Sequence, residues 1–165
     1  MLDITTIGEI LIDLTQTGTD ERGIPQFAAN PGGAPANLAV AASRLGAKTA
    51  FIGKVGQDSF GDYLTSVLAE NHVDVSALQT DPVQHTTLAV VSVDKTGERD
   101  FSFYRDPSAD VNLSAEDVPE ALLKDTRILH FGSVSLTAEP ARSATMHAAR
   151  QAKALGKIVS YDPNY

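Results

Sequence analysis

The 165-residue sequence contains no cysteine and no tryptophan, and its 13 Lys+Arg are outnumbered by 21 Asp+Glu, a formal charge of −8. Without cysteine there is no disulfide scaffold, no iron–sulfur cluster, no Cys-ligated zinc and no thiol nucleophile. The acidic balance argues against a broad footprint on nucleic acid or anionic lipid. No apolar run approaches the ~18 residues of a membrane span. Asp3 and Glu9 stand where a signal peptide would place basic and then purely apolar residues. What is present is a 42% apolar composition, ordinary for a folded chain. The expectation is a soluble, cytoplasmic protein with one core and no nucleic-acid or membrane partner.

Patterning along the chain alternates strands and helices. Ile4 to Leu14 reads as one buried strand carrying acidic residues toward its far end. Thr15 to Gly23 reads as a turn into a second strand, Ile24 to Asn30, which Pro25 marks as an edge. A helix is expected over Ala36 to Leu45, with Pro35 in its first turn and Gly46 as its C-terminal cap. Thr49 to Val55 follows as a strand. Asp58 then caps a helix whose Phe60, Tyr63, Leu64, Val67 and Leu68 share a face.

Thr86 to Val93 and Arg99 to Arg105 form a hairpin across 94–98, and Ser114 to Asp117 resembles a capping box. Ile128 to Phe131 and Lys157 to Asp162 are strands on either side of an Ala-rich helix from Pro140 to Leu155. Strand–helix–strand units imply parallel pairing. The hairpins do not fit that sheet and read as a separate, mostly antiparallel flap. The fold expected is a Rossmann-like α/β/α core with a small β-sheet lid, its segments at about 14–30 and 86–106.

Three constellations can carry chemistry. Gly32-Gly33 lets backbone approach a ligand closely, and Asn37 adds an amide suited to sugar hydroxyls; alternatively the pair is only a tight helix start. Gly8-Glu9 with Asp13 stands at the end of the opening strand, where a carboxylate can accept two hydroxyl hydrogen bonds; alternatively Asp13 is satisfied by neighbouring backbone. Tyr104-Arg105 to Asp110 can reach into a site from the flap; taken alone, it reads as a solvated charged loop. Neither a Walker loop nor a Gly-x-Gly-x-x-Gly run occurs. The four histidines lack metal-ligand spacing, His130 reads as a core residue, and the flap phenylalanines read as packing.

The run Gly32-Gly33-Ala34-Pro35-Ala36-Asn37, with Ala39, Gly46 and Gly56, resembles the N-terminal signature of the PfkB (ribokinase-like) carbohydrate kinases. Val55 to Gly61 and Gly8-Glu9 through Asp13 extend the match. Tyr104-Arg105, Pro107 to Asp110 and Asp162-Pro163-Asn164 resemble its fructokinase branch.

The resemblance implies a kinase that moves the γ-phosphoryl of ATP, with Mg²⁺, to a primary hydroxyl of a ketohexose, fructose foremost. A 2-keto-3-deoxygluconate or nucleoside kinase, or a non-catalytic sugar-binding or dimerisation module, are the alternatives. By the same resemblance Asp13, Gly32, Gly33, Asn37, Tyr104 and Arg105 would bind sugar, Asn164 would face the nucleotide, and two lids would pair into a homodimer. The family's catalytic Asp lies in a Gly-Ala-Gly-Asp-type run that does not occur in these 165 residues. An arginine usual in the family would fall one position beyond Tyr165. The chain is therefore expected to be the sugar-binding half, with no catalytic residue and no metal ligand of its own.

Overall fold

The computed structural model describes residues 1–93 and 99–164. The turn expected at 94–98 lies outside them. Strands β1 (Leu2–Ile7), β4 (Thr49–Gly56), β5 (Val73–Asp81), β8 (Thr126–Gly132) and β9 (Ile158–Asp162) form one sheet in the order β5-β4-β1-β8-β9. Every pairing in it is parallel. A second sheet, ordered β3-β2-β6-β7, joins β2 (Leu11–Thr19), β3 (Pro25–Gly32), β6 (Leu88–Val93) and β7 (Arg99–Tyr104). Its β2–β6 pairing is parallel and its two outer pairings are antiparallel.

Helices cover both faces of the parallel sheet. On one side Ala36 and Ala39 of α1 (Ala34–Arg44) and Leu64 and Leu68 of α2 (Ser59–Glu70) pack with Phe51, Val55 and Val73. On the other, Leu123 of α3 (Glu120–Asp125) and Ala144, Ala148 and Ala152 of α4 (Ala141–Ala154) pack on Ile7, Ile52 and Leu129. The alanines of α4 recur every fourth residue, which puts them on one helix face and lets its backbone lie close to the sheet. The result is the three-layer α/β/α arrangement with a second sheet beside it.

The sequence reading is corrected in three places. The apolar run Ile4 to Leu14 is two strands in two sheets, broken at residues 8–10. Its first half pairs with β4 and β8, its second with β3 and β6. Thr15 to Thr19 continues β2 rather than turning, and the turn is the shorter 20–24 segment. There Asp20 accepts from the Arg22 and Ile24 amides at 2.9 Å each. Finally, β5 has no counterpart in the sequence reading. The expected Ser114 capping box is present and opens a 3₁₀ turn over Ala115–Asp117.

Candidate functional site

Chain order and strand order together locate a crevice. From β1 the chain moves outward on one side to β4 and β5, then returns to the other side for β8 and β9. Such a reversal leaves a gap beyond the carboxyl ends of the two central strands, here β1 and β8, where open α/β sheets bind ligands. Residues 8–10, the 3₁₀ turn Val134–Leu136 and the start of α1 all follow strand ends at that edge.

Gly33 immediately precedes α1 at φ 103°, and a β-carbon there would lie 2.5 Å from the Glu9 carbonyl oxygen. No side chain fits that position, so the glycine follows from the close packing of helix start against the β1–β2 link. The amide of Asn37 donates to the Gly33 carbonyl at 2.9 Å, and its side chain is exposed. Asn37 and Gly32 line a cleft of about 200 Å³ with Ile10, Pro31 and Ala36.

Asp13 lies on β2 opposite Asn30, and the register continues through Ala89 to Phe103, so these four residues share one face of the second sheet. Its carboxylate is beside Gly32: a β-carbon on that glycine would be 2.3 Å from Asp13 Oδ2. It is half-buried, yet among the described residues it receives no hydrogen bond and forms no ion pair. Partial burial without a partner pushes its pKa up. The alternative of a carboxylate satisfied by neighbouring backbone finds no support in this geometry.

Arg105 follows β7, two residues beyond Phe103, and both line a cavity of about 500 Å³ with Val134, Thr137 and Glu139. Its side chain is only 14% exposed. Nε donates to Asp110 Oδ2 at 2.8 Å, Nη1 to the Thr137 hydroxyl at 2.7 Å and Nη2 to the Val134 carbonyl at 3.2 Å. Ser108, Ala109 and Asp110 are buried, so this segment is a packed network and not the solvated loop its composition suggests. Tyr104, by contrast, is 65% exposed and points to the opposite face from Phe103. Asn164 lies just past β9 at the same carboxyl edge, in an exposed turn where its amide donates to Asp162 at 2.9 Å. His130 is buried against Ser160 at 3.0 Å, and burial lowers its pKa.

The sequence reading groups Glu9 with Asp13 at the end of the opening strand but gives it no partner. It is 2% exposed, directly after the β1 turn, and accepts from the Ser135 hydroxyl at 3.0 Å. Burial raises its pKa above the ordinary 4.5, with the nearby Asp110 charge adding to the effect. A carboxyl that holds its proton more tightly when folded loses stabilising effect as pH rises through its folded value. Glu9→Gln, which keeps an acceptor for Ser135, should therefore lose less stability than the parent chain between pH 4.5 and neutrality. Urea midpoints across that range test this; parallel curves would place the pH dependence elsewhere.

Asp13 and Gly32 adjoin each other on the second sheet, Gly32 and Asn37 line one cleft, and Arg105 lines another. Comparison with known proteins decides its lineage: the pfkB family carbohydrate kinase model matches residues 1–165. The chain belongs to this family. As a pfkB member it is 47% identical over 163 residues to probable fructokinase-6, chloroplastic, of Arabidopsis thaliana, covering 98% of the chain and 42% of that protein. It is 45% identical to fructokinase-1 of Zea mays, covering 98% and 50%. The chain spans about half the length of the curated relatives it matches.

Among solved structures, fructokinase from Xylella fastidiosa superposes with a TM-score of 0.94 at 40% identity, covering 99% of this chain and 50% of that one. Fructokinase from Vibrio cholerae O395 in its fructose-, ADP- and calcium-bound form gives 0.86 at 39%, covering 99% and 51%. An E. coli putative ribokinase II with ATP and Mg²⁺ gives 0.90 at 34%, covering 99% and 53%. The fold is thus the ribokinase-like one. No helix among the described residues is long and apolar enough to cross a membrane. Nor does any group of three or more His, Asp or Glu among them stand together to hold a metal ion.

Proposed function

We propose that this chain is the sugar-binding half of a fructokinase-like enzyme that phosphorylates a primary hydroxyl of a ketohexose. The observation that carries the reading is the unpartnered Asp13 carboxylate beside Gly32. Buried polar groups are normally hydrogen-bonded, and a vacant acceptor at a ligand crevice is suited to hydroxyls a ligand supplies. Gly32 and Gly33 allow close approach of the backbone, Asn37 adds an amide, and Arg105 adds donors from beside the second sheet. Exposed Asn164 has room to meet ligand on closure, whereas Tyr104 stands on the face of the second sheet away from Asp13. The second sheet, at about 14–30 and 86–106, acts as the lid, excluding water so that phosphoryl transfer reaches sugar instead. Its exposed Phe27 and Tyr104, on the face away from Asp13, favour pairing with the lid of a second copy.

ATP and Mg²⁺ would be held by residues outside this chain. The family's Gly-Ala-Gly-Asp-type run is absent from it, and phosphoryl transfer rests on positioned charge that these residues do not supply. The 165-residue chain should bind fructose but release no ADP above background in a coupled assay. The same chain extended by its downstream coding sequence should turn over. Robust turnover by the 165 residues alone would overturn the division of labour, and no turnover of any sugar by the extended protein would overturn the kinase reading.

A further inference from the structure

Among the described residues, Arg105 is the one cation lining the cavity it shares with Phe103, which lies on the same face of the second sheet as Asp13, and a fixed guanidinium is well suited to bind a carboxylate. That chemistry would favour an acidic sugar over a neutral one. The surroundings of Arg105 argue otherwise. Asp110 is 4% exposed and sits 2.8 Å from Nε, so the two charges cancel in a region from which water is largely excluded. Asp110 is itself held by the Ser108 hydroxyl at 2.7 Å and by the Thr87 hydroxyl on the same oxygen. Thr87 immediately precedes β6 and its carbonyl accepts from the Ile12 amide at 3.0 Å, so Asp110 is anchored to the base of the second sheet. It cannot swing away from Arg105 without breaking those contacts.

Three of the five guanidinium N–H donors are engaged by Asp110, Thr137 and Val134. What remains is a donor of hydrogen bonds with little net charge. The other charged groups lining the cavity are Asp106 and Glu139, both acidic, and Glu9 is close enough to feel Arg105 and Asp110. An entering carboxylate would meet a field of its own sign.

We infer that Asp110 is a positioning residue that sets substrate class: by neutralising and orienting Arg105, it makes the site select neutral polyhydroxy sugars over sugar acids. This rests on the sugar-kinase reading above. Removing the charge in Asp110→Asn frees the Arg105 cation, whereas Asp110→Glu keeps a carboxylate beside it.

The test uses the chain extended by its downstream coding sequence, with D-fructose and 2-keto-3-deoxygluconate as probes. In Asp110→Asn the ratio of kcat/KM for the acid to that for fructose should rise at least tenfold, chiefly through KM. Asp110→Glu should stay close to the parent ratio. An unchanged ratio in Asp110→Asn, or an equal shift in Asp110→Glu, would overturn the inference while leaving the kinase reading intact. Should Asp110→Asn fail to fold, calorimetry on the parent protein decides. The acid should bind more weakly than fructose at low salt, and tighter binding that weakens with added salt would overturn the inference. Turnover of neither probe by the parent would overturn the kinase reading, and this inference with it.

Discussion

Gly61→Ala should destabilise the chain by about 3 kcal/mol, although helix propensity alone favours alanine over glycine inside a helix by about 1 kcal/mol. Gly61 is the third residue of α2, and a β-carbon there would lie 2.1 Å from the carbonyl oxygen of Gly56 and 3.2 Å from the Thr86 hydroxyl. Neither neighbour is free to yield. Gly56 ends β4 in register with Asp81, and its amide donates to Thr86 Oγ1 at 3.0 Å. Asp58 locks the rest. Its Oδ1 accepts from the Gly61 amide at 2.9 Å and from the Thr86 hydroxyl at 2.8 Å, while Oδ2 accepts from the Thr86 amide at 2.8 Å. These bonds hold the Asp58 pKa below its ordinary value against the opposing effect of burial.

The alanine must therefore push backbone against backbone, or pull α2 from the end of β4. A loss of this size lowers the melting temperature of a domain this long by roughly 6–12 °C. Calorimetric scans of parent and variant measure it; an unchanged or raised midpoint would show that α2 does not start against Gly56. Because Thr86 lies just before β6, the same knot fixes where the second sheet leaves the core.

What was readable in the sequence follows from how local its cause is. The helices α1 and α2 were legible because their limits are chemical: Pro35 and Gly46 for one, the Asp58 cap for the other. The split of Ile4 to Leu14 was not legible, since apolar residues mark burial without naming the sheet that buries them. Only the pairing of Ile7 with Ile52 and Phe131, against that of Ile12 with Pro31 and Leu88, reveals two sheets. Strand β5 was missed because its alternation of Val73, Val75 and Ala77 with Asp74 and Ser76 is short and is broken by Gln79-Thr80, in an edge strand held by β4 alone.

At the site, Asp13, Gly32, Gly33 and Asn37 were legible as residue types at a strand end and a helix start. The role of Glu9 was not. It depends on Ser135, 126 positions away in sequence. Arg105 was placed near the site, but the Asp110 and Thr137 contacts that restrain it depend on tertiary packing.

Asp13→Asn should raise the thermal stability of the unliganded chain while removing its affinity for sugar. Burial without a partner raises the pKa of this carboxyl, so at neutral pH the folded state carries an ionised group it solvates poorly. Stability linked to this group is present at low pH and is lost as pH rises through the folded pKa. The neutral amide abolishes that loss, and its gain should therefore grow from acid pH toward neutrality. Ligand binding moves the opposite way. A carboxylate that accepts two sugar hydroxyls contributes about 1.5–3 kcal/mol through each charged hydrogen bond. Losing both weakens binding by two to four orders of magnitude, at about 1.4 kcal/mol per tenfold. An amide restores at most one acceptor and places two donors where the ligand also donates. Melting temperatures with and without fructose read both effects in one experiment. The parent chain should melt higher in fructose, whereas Asp13→Asn should start higher and stay there. A variant that melts lower than its parent would mean that Asp13 has a protein partner and serves the fold, and a retained fructose shift would remove Asp13 from the binding site.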